Sequence, residues 1–530
     1  MKSAMAVLAV LLVLSLVLAT ADISSADDPF TFEEGDFEYH IIEGTNVEIT
    51  DLDEDYTGLD LVIEPTVTHD AVIYDVVSIN FLIENDTIET VTIPSSISWI
   101  NDTSFNGAMS LETIVVDPSN PDYISDDGVL FEKKNGVAHK MIKCPMNKPG
   151  SEYNTIPDTV AEIGTEALGC TGFSTIRLND GLIKIGDGAF ARCFELVNLK
   201  SSIGNNRLPE SVSIIGSYAF QNCSKLAILN LPNELEYIGP SAFDSSGIIT
   251  MNIPCFVEFI GEGAFSNCCN LEKFTSDNTD YPIEDDVLYV LGRNDAKSLF
   301  AYPAAKVSAK FEIPDDVIDI YGYAFSACLH LEEVVLNDHF SMIPSMAFYD
   351  CKSLKIIDIS KVSSIGISSF NGCENLTAIE FGKDLISIDD AAFSGCGIQS
   401  ITIPSNVHYI GYNAFSDCKD LRDVTIEEGS DVKLSFGAFG NDSSIEKISI
   451  QSGDVKLSEG SLIISYSNFE PFTLNVEVVK GFEIPSDATN EYTELNITII
   501  GERPYPWENW IGVFFCALII VGILYGMREV

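Results

Sequence analysis

The sequence predicts a mainly β repeat solenoid of the α/β repeat class, and three observations support this prediction. An Ala-Phe pair or a close variant recurs twelve times, mostly every 22 to 24 residues. A cysteine often follows three residues later, and each unit continues into alternating apolar and polar residues. Because one unit cannot bury its own Ile, Phe and Leu side chains, such a period favours stacked coils around a shared core. The anchor residues are Phe105, Leu168, Phe190, Phe220, Phe243, Phe265, Phe325, Phe348, Phe370, Phe393, Phe415 and Phe439.

Each repeat contains its predicted elements in a fixed order. The alternating segment, as in Leu354-x-x-Ile357-x-Ile359, predicts a short strand. A proline such as Pro404 often ends the strand, because proline cannot donate to the hydrogen-bond ladder. An Ile-Gly pair follows, and its glycine allows a backbone bend. The A-F-x-x-C segment is then expected to form a short helical turn on the opposite side of the coil.

Two intervals of the repeat are longer, and their extra residues resemble each other. The sequence "DYISDDGVLF" at 122–131 corresponds to "DYPIEDDVLY" at 280–289, and a turn signal and a proline follow in both. Two strands around a tight turn fit this pattern. We therefore predict two β-hairpin inserts, at about 117–155 and 276–312, that project from the solenoid.

The two ends of the chain predict export and membrane anchoring. "AMAVLAVLLVLSLVLATA" follows Lys2 and ends in a small-x-small cleavage signal, which predicts a signal peptide over residues 1–21. Ser25-Ala26 offers an alternative cleavage point. An uncharged stretch flanked by aromatic residues predicts a transmembrane helix over 507–527, with a cytoplasmic tail at 528–530. A buried core helix is the alternative interpretation of that stretch.

The segments between these ends predict a capped solenoid. Residues 22–90 have degenerate repeat features and are expected to form an N-terminal cap, followed by the solenoid over 91–450. Residues 451–506 alternate without phenylalanine anchors and are expected to form a C-terminal β cap and stalk. Caps are needed because an open coil exposes core side chains and unpaired strand edges.

The charge of the chain argues against one class of partner. There are 80 acidic and 29 basic residues, and the formal net charge is −51. Nucleic-acid binding requires clustered Lys and Arg, so we expect no nucleic-acid partner.

The repeated "IGxxAFxxCxxL" units and the two "DGVL"-type inserts resemble the BspA-like leucine-rich repeat family of cell-surface proteins, over about residues 35–450. This resemblance implies a right-handed solenoid with short helical turns on the surface of a microbe or protist. It also implies adhesion to host proteins, such as fibronectin, or to other cells. No catalytic residue comes with the resemblance.

Eight cysteines occupy one position of the repeat, three residues after the anchor. Other units place Ala108, Thr171, Ser246 or Asp442 there, so the position mostly requires a small side chain. The chain contains no C-x-x-C motif of the kind that zinc sites use. We predict buried free thiols, with some disulfides along the ladder or a metal or redox site as the alternatives. The ladder cysteines are Cys193, Cys223, Cys268, Cys328, Cys351, Cys373, Cys396 and Cys418.

No motif of catalysis or cofactor binding was identified, so we predict a non-enzymatic protein without a cofactor or metal ion. Asp51, Asp53 and Asp55 suggest calcium, but the EF-hand loop would need Gly and Glu where Tyr56 and Val62 stand. A looser acidic calcium site remains an alternative to a solvated turn.

Asparagine sequons suggest glycosylation if the cell modifies its exported proteins. Asn222 also lies in a sequon, but its neighbour Cys223 belongs to the ladder and leaves little space there. The candidates are Asn85, Asn101, Asn375, Asn441 and Asn496.

The remaining candidate site is the outward face of the predicted strands. About a dozen coils would make it roughly 50–60 Å long, a size that suits an extracellular protein or a glycan. We therefore predict a membrane-anchored cell-surface protein that binds through this face, with a structural spacer or coat element as the alternative. The face residues are Thr113, Thr175, Lys273, Glu333, Glu380, Ser400, Thr402, Asp423 and Thr425.

Overall fold

The computed structural model describes residues 30–440, 444–459, 461–462, 472–480, 482–489 and 493–500. They form two compact units that divide between Pro149 and Gly150. The predicted signal peptide, the predicted transmembrane helix with its tail, and Asn441 lie outside the described residues. Within the described ranges, no helix has the length and apolar character needed to cross a membrane.

The first unit consists of short strands in three sets. An antiparallel β1–β2–β3 sheet continues in parallel to β6, which pairs with β5 and β8. The strands β4, β7 and β9 pair in parallel, and β10, β11 and β12 are antiparallel. The strands are β1 (Thr31–Glu34), β2 (Phe37–Glu43), β3 (Asn46–Leu52), β4 (Asp60–Val62), β5 (Thr66–His69), β6 (Val72–Ile79), β7 (Thr90–Ile93), β8 (Trp99–Ile100), β9 (Thr113–Val116), β10 (Tyr123–Asp126), β11 (Val129–Lys134) and β12 (Val137–Lys143).

The second unit contains the other strands and one 3₁₀ turn at Arg293–Asp295. Its first strands are β13 (Glu152–Tyr153), β14 (Glu162–Ile163), β15 (Thr175–Arg177), β16 (Lys184–Ile185), β17 (Asn198–Ser201), β18 (Gly204–Asn205), β19 (Ile214–Ile215), β20 (Tyr237–Ile238), β21 (Thr250–Ile253), β22 (Phe259–Ile260), β23 (Lys273–Ser276), β24 (Ile283–Glu284), β25 (Val287–Leu291) and β26 (Lys297–Ala301). The later strands are β27 (Lys310–Glu312), β28 (Val317–Ile320), β29 (Glu333–Val335), β30 (Met342–Ile343), β31 (Ile356–Ile357), β32 (Ser364–Ile365), β33 (Ser387–Ile388), β34 (Ser400–Ile403), β35 (Tyr409–Ile410), β36 (Asp423–Ile426), β37 (Lys433–Leu434), β38 (Lys447–Ile450), β39 (Lys456–Leu457), β40 (Phe472–Val479) and β41 (Thr493–Ile500).

Most coils of the second unit contribute to two parallel ladders. The long-strand ladder contains the alternating segments, such as β34, β36, β38, β40 and β41 in succession. The short-strand ladder contains the segments before the Ile-Gly corner, such as β30, β32, β33, β35, β37 and β39. Successive coils therefore place equivalent residues side by side, which confirms the predicted mainly β repeat solenoid.

The A-F-x-x-C segments form turns, so the prediction of short helical turns was wrong. The N–H of Phe220 donates to the carbonyl of Ala242 on the next coil at 2.7 Å, and Phe370 donates likewise to Ala392 at 2.8 Å. The residues two before and two after Phe220 have positive φ, 57° at Tyr218 and 58° at Asn222. An α-helix needs negative φ throughout and directs its N–H groups to the residue four before. These turns instead form a third ladder between coils.

The anchor side chains stack along the core. Phe348 and Phe370 lie 5.2 Å apart between ring centroids with 2° between their planes, and Phe393 and Phe415 lie 5.3 Å apart with 4°. The same stacking joins Phe190, Phe220, Phe243 and Phe265. All of these rings are buried. From Val287 onward, the anchor rings share one hydrophobic cluster with Ile, Leu and Val residues of both strand ladders, so the core is continuous there from coil to coil.

The predicted β-hairpins are present in both inserts, as in β11 and β12 around Asn135-Gly136, and each is part of a three-stranded antiparallel meander. The meanders pack into the core, so the prediction that the hairpins project was wrong. In the second insert, β24, β25 and β26 pair in antiparallel fashion, and β26 then pairs in parallel with β28. Val287, Tyr289 and Leu299 are buried in the same core as the repeat anchors. The first insert has the same order, β10–β11–β12, and buries Leu130 and Ile142 in the core of its own unit. These apolar side chains hold the meanders against the coils.

Candidate binding face

The predicted face residues are distributed over several sheets. Among the described residues the long-strand ladder is interrupted, because residues 377–381 form no strand and residues 226–231 form only the single bridge of Asn230 to Arg207. The predicted continuous face is therefore divided. The residues lie on β9 (Thr113), β15 (Thr175), β23 (Lys273), β29 (Glu333), β34 (Ser400 and Thr402) and β36 (Asp423 and Thr425), whereas Glu380 lies in the interruption.

Four of these residues lie together at the C-terminal end of the ladder. Ser400 pairs with Asp423, and Thr402 pairs with Thr425, in the parallel register of β34 and β36. The rows continue onto β38, β40 and β41, and the alternation of each strand directs these side chains to the same side. We call this surface the polar face; its further members are Lys447, Asn475, Glu477 and Asn496, whereas Ser449 in the same rows is buried, at only 5% exposed.

The polar face offers hydrogen-bonding groups on parallel strands. Ser400, Thr402 and Asp423 are exposed, and Thr425 is half-buried. Lys447 forms an ion pair with Glu477 at 2.7 Å, which offsets one positive and one negative charge. Neighbouring parallel strands lie about 4.8 Å apart, so the hydroxyl groups repeat at nearly regular intervals. This arrangement can bind a ligand that presents many weak polar contacts.

Thr175 is not available on the surface, so its prediction as an outward residue was wrong. The side chain is only 4% exposed. It lies between Glu152 of β13 and Asn198 of β17 in the register of that sheet. Lys200 of β17 reaches Glu152 of β13 at 3.7 Å and thereby spans the strand that carries Thr175.

Glu333 is half-buried and forms an ion pair with a neighbouring lysine. Lys310 lies 3.0 Å from Glu333 and 3.0 Å from Glu312. The hydrogen bonds that Lys310 donates to Glu312 and Glu333 raise the pKa of Lys310 above its usual value. The negative charge of Glu333 is thus partly compensated by Lys310.

The ladder cysteines are buried and donate hydrogen bonds between coils. The thiol of Cys351 donates to the carbonyl oxygen of Phe325 at 2.8 Å, and Cys418 donates to Phe393 at 3.1 Å. Cys193, Cys223, Cys268, Cys373 and Cys396 make the equivalent bond to the preceding coil. No disulfide joins any of the twelve cysteines that the structure describes. Burial raises the pKa of Cys268 to about 12, which keeps that thiol protonated.

The adjacent pair Cys268-Cys269 contains two different environments. Cys268 is a buried member of the ladder, whereas Cys269 is exposed. Burial, followed by the charge of Asp350, nonetheless raises the pKa of Cys269. The arrangement does not resemble a thiolate site activated by positive neighbours.

The sequon asparagines differ in accessibility. The amide of Asn85 donates to the carbonyl of Tyr56 at 2.8 Å, and the side-chain oxygen of Asn101 accepts from Thr103 at 2.9 Å. Asn375 is exposed, and its amide donates to Lys352 at 2.7 Å. Asn496 is exposed on the polar face and donates to Asn475 at 2.8 Å. A glycan on Asn496 would therefore occupy part of the candidate binding surface.

The acidic run in the first unit forms a turn beside an open cleft. The Asp53 side chain accepts the N–H of Asp55 at 2.9 Å, and both residues line a cleft of about 350 Å³ with other carboxylates. Across the described ranges, no three or more Asp, Glu, His or Cys side chains are arranged to hold a metal ion.

Sequence reasoning missed four asparagines that join successive coils. The amide of Asn337 donates to the carbonyls of Pro314 and Val317, both at 2.8 Å. Asn120 donates likewise to Pro94 and Ile97, both at 2.9 Å. The signal was an asparagine placed 19 to 26 residues after a P-x-x-[VI] turn. Asn179 and Asn278 make the same two bonds.

Comparison with known proteins agrees with this repeat architecture. The family described as BspA type leucine-rich repeat region matches in six copies, over residues 79–133, 199–290, 297–419 and 343–467. A comparison with curated proteins gave no match.

Several solved structures are similar in outline. One is a leucine-rich cell surface protein from Faecalibacterium prausnitzii, with 23% identity, 80% of this chain and 96% of that chain covered, and a TM-score of 0.43. Another is the pneumococcal vaccine antigen PcpA, with 17% identity, coverage of 89% and 99%, and a TM-score of 0.42. A third is a leucine-rich repeat protein from Bacteroides ovatus, with 20% identity, coverage of 88% and 99%, and a TM-score of 0.31.

Proposed function

The chain belongs to the BspA-type leucine-rich repeat family, and on that premise we propose that it is a cell-surface protein that binds an extracellular protein or glycan through the polar face. The observation that carries this proposal is the register of β34, β36 and β38. It places Thr402 beside Thr425 in one row, next to a second row formed by Ser400, Asp423 and Lys447.

The chemistry of the polar face supports a protein or glycan ligand. Hydroxyl and amide groups both donate and accept hydrogen bonds, so one surface can match peptide groups or sugar hydroxyls. The net charge of −51 disfavours a nucleic acid, because phosphates would be repelled. An array of parallel strands also presents many contacts at once, which suits a large partner more than a small molecule.

Export and anchoring are part of the proposal. The sequence of residues 1–21 supports a signal peptide, and that of 507–527 supports a membrane helix. Such a topology would leave the repeats outside the cell, with the C-terminal end of the long-strand ladder nearest the membrane. Surface labelling of intact cells with an antibody to the repeats tests this topology, and labelling only after permeabilisation would contradict it.

Binding arrays test the proposed function directly. Full-length protein is applied to arrays of extracellular-matrix proteins and of glycans, and we expect saturable binding to at least one of them. Substitution of Thr402 and Thr425 by Ala should weaken that binding. No binding across broad arrays would instead support a structural spacer or coat element, and hydrolysis of an array component would contradict the prediction of a non-enzymatic protein.

A further inference from the structure

A cleft opens on the long-strand ladder where two neighbouring strands separate. Strands β29 and β31 pair at only two positions, Glu333 with Ile356 and Val334 with Ile357. Strands β34 and β36, by contrast, pair at four positions. Beyond Ile357 the backbone turns away, and the N–H of Ser360 donates to its own neighbour Asp358 at 2.9 Å instead of continuing the ladder. The separation leaves a cleft of about 140 Å³ between the two coils.

The floor of this cleft is apolar. It includes the buried side chains of Phe340 and Val362, and the exposed side chains of Val335 and Ile356 also line the cleft; Ile356 is 59% exposed. A cavity of about 150 Å³ lined by apolar side chains holds a molecule of the size of benzene. The volume therefore matches one inserted side chain.

The rim of the cleft is negatively charged. Glu333, Asp338 and Asp358 line it, together with Lys361, which forms an ion pair with Asp338. Glu333 and Glu312 both form ion pairs with Lys310. With Asp338 and Asp358, four carboxylates therefore lie near two lysines, Lys310 and Lys361. The hydrogen bonds from Ser360 lower the pKa of Asp358, so that carboxylate is ionised at neutral pH. The rim thus attracts a positive charge.

We propose that the cleft binds a lysine or arginine side chain of a basic protein partner. Such side chains combine an apolar stem with a charged end, and the cleft offers an apolar floor with an acidic rim. The stem would lie on Val335 and Ile356, and the charged end would lie against Asp358. This inference rests on the proposed function, because the cleft lies on the same ladder, and it specifies the partner as a protein.

The probe is a random peptide library displayed on phage and selected on the full-length protein at physiological salt. We expect the selected peptides to contain Lys or Arg. Asp358→Asn removes the charge but retains an oxygen that accepts from Ser360, and Ile356→Ser removes apolar floor at an exposed position. Each should weaken peptide binding about tenfold.

Two matched variants serve as controls. Asp158→Asn removes an exposed carboxylate in the turn before β14, outside both the polar face and the cleft, and Ile228→Ser changes an isoleucine that is 54% exposed in the interruption of the ladder at 226–231. Both should leave peptide binding unchanged. Equal losses in Asp158→Asn and Asp358→Asn would show an effect of overall charge and overturn the cleft proposal.

Other outcomes separate this inference from the proposed function. Selected peptides without basic residues would overturn the cleft proposal. Binding of peptides or glycans that depends on Thr402 and Thr425 but not on Asp358 would also overturn it, while the polar face would stand as the binding surface. No binding of peptides, proteins or glycans would overturn both.

Discussion

The thiol of Cys351 donates a hydrogen bond to the carbonyl oxygen of Phe325, which lies on the preceding coil at 2.8 Å. Cys351 and Phe325 are both buried, so this bond joins two coils inside the core. The same relationship recurs at six other ladder cysteines. This position of the repeat therefore favours a small side chain that can also donate a hydrogen bond.

Substitution of Cys351 tests the role of this donor. Cys351→Ala leaves the Phe325 carbonyl without its thiol partner, which should reduce the free energy of unfolding by about 1–2 kcal/mol. Cys351→Ser retains a donor, as Ser246 and Thr171 do at equivalent positions. We expect the serine variant to be the more stable of the two in urea denaturation. A serine variant less stable than the alanine variant would show that the thiol acts only by apolar packing.

Thiol labelling tests the oxidation state of the ladder. In the native protein, an alkylating reagent at pH 8 should modify Cys255 and Cys269, which are exposed, and leave the buried cysteines unmodified. After denaturation without reductant, all eight ladder positions should become labelled. Peptide mass spectrometry reads both results, and ladder labelling that requires reduction would establish disulfides instead.

Alkaline pH should destabilise the fold. Burial raises the pKa of Cys268 from 9.0 to about 12. The folded state then binds more protons than the unfolded state between these values, so this contribution is present below pH 9 and is lost progressively toward pH 12. At pH 10.5 the loss from this thiol is about 2 kcal/mol. Urea denaturation at pH 8 and pH 10.5 measures the difference, and Cys268→Ser should show a smaller loss.

Substitution of Asn120 tests the role of the asparagines that join successive coils. Its amide donates to Pro94 and Ile97, and its oxygen accepts from Asp122 and Tyr123. Asn120→Asp replaces a buried donor with an acceptor, so it should destabilise the first unit by about 2–3 kcal/mol. Asn233→Asp, at an exposed position, serves as the control. Thermal unfolding of both variants provides the comparison, and equal stabilities would contradict a structural role for this amide.

The repeat period was predictable because side-chain identity alone determines which residues can share a core. Phe348, Phe370 and Phe393 recur in sequence as they stack in space. The form of the turns was not predictable in the same way. Their N–H groups bond to the next coil, and residues as different as Tyr218 and Met346 adopt positive φ there. Those contacts are non-local, so no short sequence window contains them.

The binding face was predictable only in part, for a related reason. Alternation placed Thr402 and Thr425 on the outward side correctly. It could not show that an ion pair between the two coils on either side spans Thr175, or that the ladder stops around Glu380. The cleft beside Ile356 likewise depends on how two strands separate, because both carry the ordinary repeat pattern.

The measurement that tests the polar face most directly compares two pairs of hydroxyl residues. Thr402→Ala with Thr425→Ala removes neighbouring hydroxyl groups from the polar face, whereas Ser364→Ala with Ser387→Ala removes a neighbouring pair from the short-strand ladder. Each double variant is titrated against the ligand identified on the arrays. The proposal predicts at least tenfold weaker binding for the threonine pair and unchanged binding for the serine pair. Equal affinities for both variants and the unmodified protein would contradict it.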